Sequence, residues 1–241
     1  MYDIDIKGDI INDDSQWIYD WIGWNYTSAK NVIKSLKEAN GQPIRLKVNS
    51  PGGSVFAASE IYTELKSYPG EVNIEIVGLA ASAASVISMA GKSKMSPTAQ
   101  LMVHNVSSCT SGDYRDMDHM SEILKNANDT IANAYIEKSK MSREQALTLM
   151  DNETWLTAEK AKELGLVDEI MFEESKPLYA NIRDLNLYNS CTSIPQEVLE
   201  KLNIKNINQP QKMLEDRVDF LMQQKAQAQL NLLKLGGEKY E

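Results

Sequence analysis

The chain opens with alternating polar and apolar residues, Met1-Tyr2-Asp3-Ile4-Asp5-Ile6, the period-two pattern of a half-buried strand. The spacing then becomes helical over Ala29 to Ala39, through Val32, Ile33 and Leu36, with Thr27 or Ser28 as a cap and Asn40-Gly41 as a stop. Ile44 to Val48 reads as a strand, Pro51-Gly52-Gly53 as a turn, and Val55 to Lys66 as a helix that Pro69-Gly70 ends. Val72 to Val77, rich in valine and isoleucine, repeats the arrangement and leads through Gly78 into a small-residue helix running to Ala90. Leu101 to Val103 supplies another short strand, immediately before His104. This alternation predicts an α/β fold of βαβ units around a mainly parallel sheet, with ligand sites beyond the carboxyl ends of the strands. Gly53, Ser82 and His104 each follow a predicted strand.

Farther on, Tyr114 to Lys138 carries Met117, Met120, Ile123, Leu124 and Ile131 on one face, which predicts a long amphipathic helix. Ser142 to Met150 forms a shorter helix, Thr157 caps another that ends at Leu164, and Leu166 to Met171 is a final strand. Beyond Glu173 the composition shifts toward Asn, Gln, Ser and Lys, broken by Pro177, Pro195 and Pro210. Helical periodicity resumes from Met213 to Leu235. The expected organisation is a catalytic domain over residues 1–174 and a linker with a helical C-terminal extension over residues 175–241. Leu214, Val218 and Leu221 make only a narrow apolar stripe, so a docking or oligomerising helix and a partly ordered tail both remain open.

At 241 residues, the chain is long enough for one substantial α/β core and an appendage. Its net charge of -9 repels phosphate backbones and anionic lipid, and no basic block appears, so a nucleic-acid partner is not expected. No apolar run approaches the roughly 20 residues that span a bilayer, and the N-terminus lacks the basic start and apolar run of a secretory signal. A soluble protein without a membrane partner is expected. Two distant cysteines, Cys109 and Cys191, fit a reducing, cytoplasmic setting. No Cys/His spacing suggests a metal, and no cofactor is expected. An aromatic cluster of Trp17, Tyr19, Trp21, Trp24 and Tyr26 reads as core or subunit packing.

The segment Gly78-Leu79-Ala80-Ala81-Ser82-Ala83 sets a serine among residues too small to hide it, at a strand-to-helix junction. A serine hydroxyl is a weak nucleophile, so it needs a base to take its proton and donors to hold the oxyanion. Of the two histidines, His104 ends a strand, whereas His119 sits in a helix between Asp118 and Met120, where a solvated surface histidine is the ordinary explanation. The amides of Gly53 and Ala83 would supply a two-donor oxyanion hole, because glycine lets the main chain approach a reacting carbonyl. The competing explanation is packing: Ser82, Ser85 and Ser88 filling space in a small-residue helix, His104 a satisfied core histidine and Pro51-Gly52-Gly53 only a turn.

Four ordered motifs, Asn49-Ser50-Pro51-Gly52-Gly53, Gly78-Leu79-Ala80-Ala81-Ser82, Met102-Val103-His104 and Glu153-Thr154-Trp155-Leu156-Thr157-Ala158-Glu159 followed by Gly165-Leu166-Val167-Asp168, carry a resemblance. Over Asp3 to Met171 the chain resembles the Clp protease proteolytic subunit (ClpP), most of all its phage and prophage relatives assigned to capsid (head) maturation. The resemblance implies a ClpP/crotonase-like fold of repeated ββα and βαβ units. It also implies a ring-shaped homo-oligomer, heptameric or of stacked rings, and a serine endopeptidase acting on protein or peptide substrates, here phage capsid or scaffold proteins. The setting would be the bacterial cytoplasm or an assembling prohead. Carried over by position, Ser82 is the nucleophile, His104 the base, and Gly53 and Ala83 the oxyanion donors.

The third member of the triad is open between two carboxylates. ATPase-partnered family members carry aspartate where an ungapped match from Trp155-Leu156 puts Glu153, and Asp151 lies two residues earlier. Glu153 is preferred, although glutamate has an extra methylene and needs a different backbone offset. Compared with those members, the chain starts at its first strand, without a segment to form axial loops facing an unfoldase. The expectation is therefore a protease that works without an ATPase partner, its extension directing it to a capsid. A crotonase-like acyl-CoA enzyme and a noncatalytic ring or scaffold subunit are the alternatives.

Overall fold

A computed structural model describes residues 1–173; the expected extension, residues 175–241 with its helical stretch 213–235, lies outside the described residues. β1 (Tyr2–Ile11) buries Ile4 and Ile6 on one face while Asp3, Asp5 and Lys7 stay exposed, as the alternation predicts. After a 3-10 turn at Asp13–Ser15 come α1 (Gln16–Ile22), β2 (Tyr26–Ser28) and α2 (Ala29–Ala39). The hydroxyl of Ser28 caps α2 by accepting from the Asn31 amide at 3.3 Å, and Asn40 ends it in the left-handed region. β3 (Ile44–Gly53), α3 (Val55–Ser67) and β4 (Val72–Ala81) follow.

These strands are parallel, in the order β2-β1-β3-β4, continued by β5 (Lys92–Met95) and β8 (Glu169–Ile170). Ile44, Leu46, Val48, Ile74 and Ile76 are fully buried and make the centre of the core. Between β4 and β5 runs α4 (Ala83–Ser88), a single short helix whose residues are all buried. The strand expected over Val72 to Val77 in fact continues to Ala81, because its two halves have different neighbours. Asn73 to Ile76 pair with β5, whereas Leu79 to Ala81 pair with β6 (Gln100–Val103). A register shift between Val48 and Ser50 marks the change of direction. β7 (Thr154–Leu156), a strand that sequence periodicity did not predict, then adds antiparallel to β6 as a branch of the same eight-stranded sheet.

α5 (Tyr114–Ser139), α6 (Arg143–Asp151) and α7 (Ala158–Glu163) complete the described chain. Asp113, Ser142 and Thr157 cap them through their side chains. Of the face expected along α5, Met117 and Ile123 are exposed and Ile131 is half-buried, while the buried residues of the helix, Ala132, Ala134 and Tyr135, all lie in its second half. Lys138 on α5 pairs with Asp168, which also accepts from the Ser93 amide at 2.6 Å, tying α5 to β5 and the start of β8.

The expectation for the aromatic cluster divides. Tyr19 packs edge-on against Trp24 and Tyr26, with ring centroids 6.2 and 5.7 Å away. Trp17 and Trp21 are 53% and 80% exposed, so a core role is corrected for these two, which α1 turns outward after β1. No helix among the described residues is long and apolar enough to cross a membrane.

Candidate active site

The junction between β4 and α4 is a sharp elbow at Ser82, with φ 54° and ψ -124°. A non-glycine residue held there stores about 1–3 kcal/mol of strain and persists only where its surroundings over-determine it. Here the Ser82 amide donates to the Met102 carbonyl of β6 at 3.0 Å, and the Ser82 carbonyl accepts from the Ser85 amide at 2.9 Å. Strand pairing on one side and the first turn of α4 on the other thus set the elbow. The Ala83 amide, as the first in α4, belongs to the helix N-terminal donors that have no intrahelical acceptor.

Pro51-Gly52-Gly53, expected as a turn, instead forms the end of β3, where Gly52 and Gly53 pair with Asp9 and Ile10 of β1, and this strand end touches the elbow. The Ser50 hydroxyl donates to the Gly8 carbonyl at 2.6 Å and accepts from the Gly52 amide at 3.1 Å, and the Asn49 side chain accepts from the Leu79 amide at 3.1 Å. Gly52, at φ 101°, has room for no side chain: a Cβ would stand 2.7 Å from the Ala81 carbonyl and 2.9 Å from the Ala83 amide nitrogen. Gly53, at φ 142°, is equally constrained, since a Cβ would lie 2.2 Å from the Ile10 carbonyl oxygen.

His104 leaves the end of β6 with its Nε2 2.7 Å from the Ser82 Oγ. With the ring proton on Nδ1, Nε2 accepts the serine hydroxyl, the pairing a general base requires. Gly53, Ser82, Ala83 and His104 line one cavity of about 240 Å³, walled by Ala58, Val86, Val106 and Ile131. An apolar wall with a few converging polar groups is the usual make-up of a small-ligand site. The loop after His104 is held by the Asn128 side chain, which accepts from the Val106 amide at 2.7 Å.

Neither candidate carboxylate is hydrogen-bonded to the histidine. Among the described residues, the one side-chain hydrogen bond of the His104 ring goes to Ser82. The Asp151 carboxylate, at the end of α6, accepts instead from the Asn105 side chain at 2.8 Å. Glu153 lies one residue before β7. In the β6–β7 ladder, Leu101 faces Leu156, Met102 faces Trp155 and Val103 faces Thr154; His104 is the next residue on from that last pair in one strand and Glu153 in the other. Its backbone is in the left-handed region, at φ 44°. His119 is exposed on α5.

Sequence reasoning gave no role to Asn105, Asn128 or Ser50. Ser50 sat inside a quoted motif and Asn105 directly follows one, and each carried that much signal. Asn128 carried none, because only the fold brings α5 to the loop after His104.

A family model described as Clp protease matches residues 6–174. Among curated proteins, the chain is similar to ATP-dependent Clp protease proteolytic subunit 1 of Chlamydia abortus, 38% identical over 155 residues covering 60% of this chain and 80% of that protein. The protein of the same name in Chlamydia pneumoniae is 34% identical over 155 residues, 60% of this chain and 81% of its own length. That of Streptomyces avermitilis is 32% identical over 155 residues, 63% of this chain and 71% of its own length.

Proposed function

The chain belongs to the Clp protease family, and from that premise we propose that it is a serine endopeptidase in which Ser82 attacks the scissile carbonyl. The observation that carries the reading is the 2.7 Å approach of His104 Nε2 to Ser82 Oγ in a cavity of about 240 Å³. His104 takes the hydroxyl proton as the Ser82 oxygen bonds to the substrate carbonyl carbon, and the amides of Gly53 and Ala83 hold the resulting oxyanion. Collapse of the tetrahedral intermediate expels the amine, to which His104 returns the proton. Water, activated by the same histidine, then releases the acyl group. Each oxyanion donor contributes about 2.7–4 kcal/mol of transition-state stabilisation.

Glu153 orients the His104 ring and stabilises its cation. The β6–β7 register supports this choice, and the engagement of Asp151 by Asn105 argues against the alternative. The finer reading is a ring-shaped homo-oligomer that trims capsid or scaffold proteins during phage head maturation, without an unfoldase ATPase. It rests on the resemblance of residues 3–171 to phage and prophage relatives, whereas the relatives named above are called ATP-dependent.

The test is labelling with a fluorophosphonate and mapping of the modified peptide. The expected result is one adduct at Ser82, abolished in Ser82→Ala and in His104→Ala. Undiminished labelling of Ser82→Ala would overturn the assignment. Hydrolysis of an unfolded protein substrate by the purified chain without ATP tests the ATPase-independent part, and a strict ATP and unfoldase requirement would refute it.

A further inference from the structure

α4 and α5 meet at a buried polar pair that the proposed mechanism leaves unused. Ser85, fully buried one turn into α4, has its Oγ 2.6 Å from the Ser82 carbonyl oxygen and 2.8 Å from the hydroxyl of Tyr135 on α5. Tyr135 is 2% exposed, and Ser85 is the one side-chain partner of its hydroxyl among the described residues. A serine hydroxyl has a single proton. The carbonyl can only accept, so the Ser85 proton goes to Ser82 and Tyr135 is the donor to Ser85. Burial pushes the Tyr135 phenol up to about 12, so it stays protonated as that donor at neutral pH.

The consequence lies in the peptide bond between Ser82 and Ala83. Its carbonyl accepts from the Ser85 amide at 2.9 Å and the Val86 amide at 3.4 Å as well as from the Ser85 hydroxyl. The peptide is planar and trans, so its N–H points opposite to its C=O. Holding the carbonyl toward the helix therefore aims the Ala83 amide the other way, on the side where Ala83 lines the cavity with Ser82, Gly53 and His104.

We propose that Ser85 and Tyr135 are positioning residues that lock the Ser82–Ala83 peptide plane, and with it the direction of the Ala83 oxyanion donor. The inference rests on the reading of Ser82 as the nucleophile and deepens it. A donor aimed at the oxyanion acts mainly in the transition state, so loosening it lowers kcat and leaves KM in place. Full loss of one such donor costs about 10²–10³-fold in kcat. A misaimed donor retains part of its effect, and about a tenfold loss is expected for Tyr135→Phe and for Ser85→Ala.

Ser88→Ala is the control. Ser88 is fully buried in the same helix and donates to the Ala84 carbonyl at 2.9 Å, with no bond to the Ser82–Ala83 peptide. Steady-state peptide hydrolysis and fluorophosphonate labelling are measured on the full chain, well below the melting temperature of every variant. The expected result is a kcat and labelling rate down about tenfold at unchanged KM in Tyr135→Phe and Ser85→Ala, with Ser88→Ala at the wild-type rate. A peptide boronate, which mimics the tetrahedral species, should lose affinity in parallel with kcat, while a product peptide should not. Wild-type kcat in both variants, or an equal loss in Ser88→Ala, overturns the proposal alone. A wild-type protein that neither labels nor hydrolyses peptide removes the Ser82 reading, and this one with it.

Discussion

Replacing Gly52 by alanine places a methyl group against the nucleophile elbow, and the damage can be separated into two parts. The residue has φ 101°, where an L side chain is strained by about 1–2 kcal/mol. The added Cβ would also meet the Ala81 carbonyl oxygen at 2.7 Å, the Ser82 Cβ at 2.8 Å and the Ala83 amide nitrogen at 2.9 Å. Two of the three are backbone atoms, which cannot swing aside as a side-chain end would. Overpacking of this kind adds about 1–3 kcal/mol, giving a total destabilisation of about 2–5 kcal/mol.

Because two of the three atoms met belong to Ser82 and Ala83, activity falls beyond what instability explains. A shift of about 1 Å at reacting groups costs on the order of 10²-fold, so a displacement of a few tenths of an ångström gives about 3- to 10-fold. Gly23→Ala isolates the strain: its φ is 77°, but nothing lies within 4 Å of an added Cβ. It should lose about 1 kcal/mol and keep the wild-type reaction rate. Urea denaturation followed by tryptophan fluorescence gives the stabilities, and the fluorophosphonate labelling rate gives the activity. Equal labelling rates in Gly52→Ala and Gly23→Ala would refute the view that this strand end abuts a reactive elbow.

The two carboxylates are told apart by Glu153→Gln and Asp151→Asn: the first should lower kcat by about 10²–10⁴-fold and the second by less than about threefold. A larger loss in Asp151→Asn would reverse the choice. For Asp168, burial raises the carboxyl, but the hydrogen bonds from Lys138 and the Ser93 backbone outweigh it and leave its pKa lowered. A lowered folded-state value means that its stabilisation is full above the unfolded pKa of about 3.9 and is lost as pH falls through the folded value. Asp168→Asn should cost about 1–2 kcal/mol at pH 7, discounted because the Asp168 side chain is 39% exposed beside a Lys138 that is 9% exposed. Its urea midpoint should also fall less steeply than the wild type's below about pH 4; unchanged slopes would show that the pair contributes nothing to acid unfolding.

Much of the local architecture could be read from the chain because it depends on short-range chemistry. Ser28, Asp113, Ser142 and Thr157 cap helices through amides two or three residues away. Ile4, Ile6, Ile44, Leu46 and Val48 announce buried strand faces through a period of two. The small residues around Ser82 likewise mark a junction where a serine can stand free. β5 and β7 escaped notice because Lys92-Ser93-Lys94-Met95 and Thr154-Trp155-Leu156 are short and carry polar residues, whereas the equally short β6 was legible through its unbroken apolar run Leu101-Met102-Val103. Trp21 escaped because apolar character says nothing about whether a helix face is covered.

The assembly of the site belongs to long-range pairing. Ala81 beside Met102 brings Ser82 to His104 across 22 positions, and β7 against β6 brings Thr154 beside Val103 across 51. Tyr135 reaches Ser85 across 50 positions. Periodicity and capping act over a few residues and establish which segments are strands and helices. The distance between residues far apart in the chain depends on which strands pair, in what register, and where a bulge turns them, and those choices are made only when the whole core is buried at once.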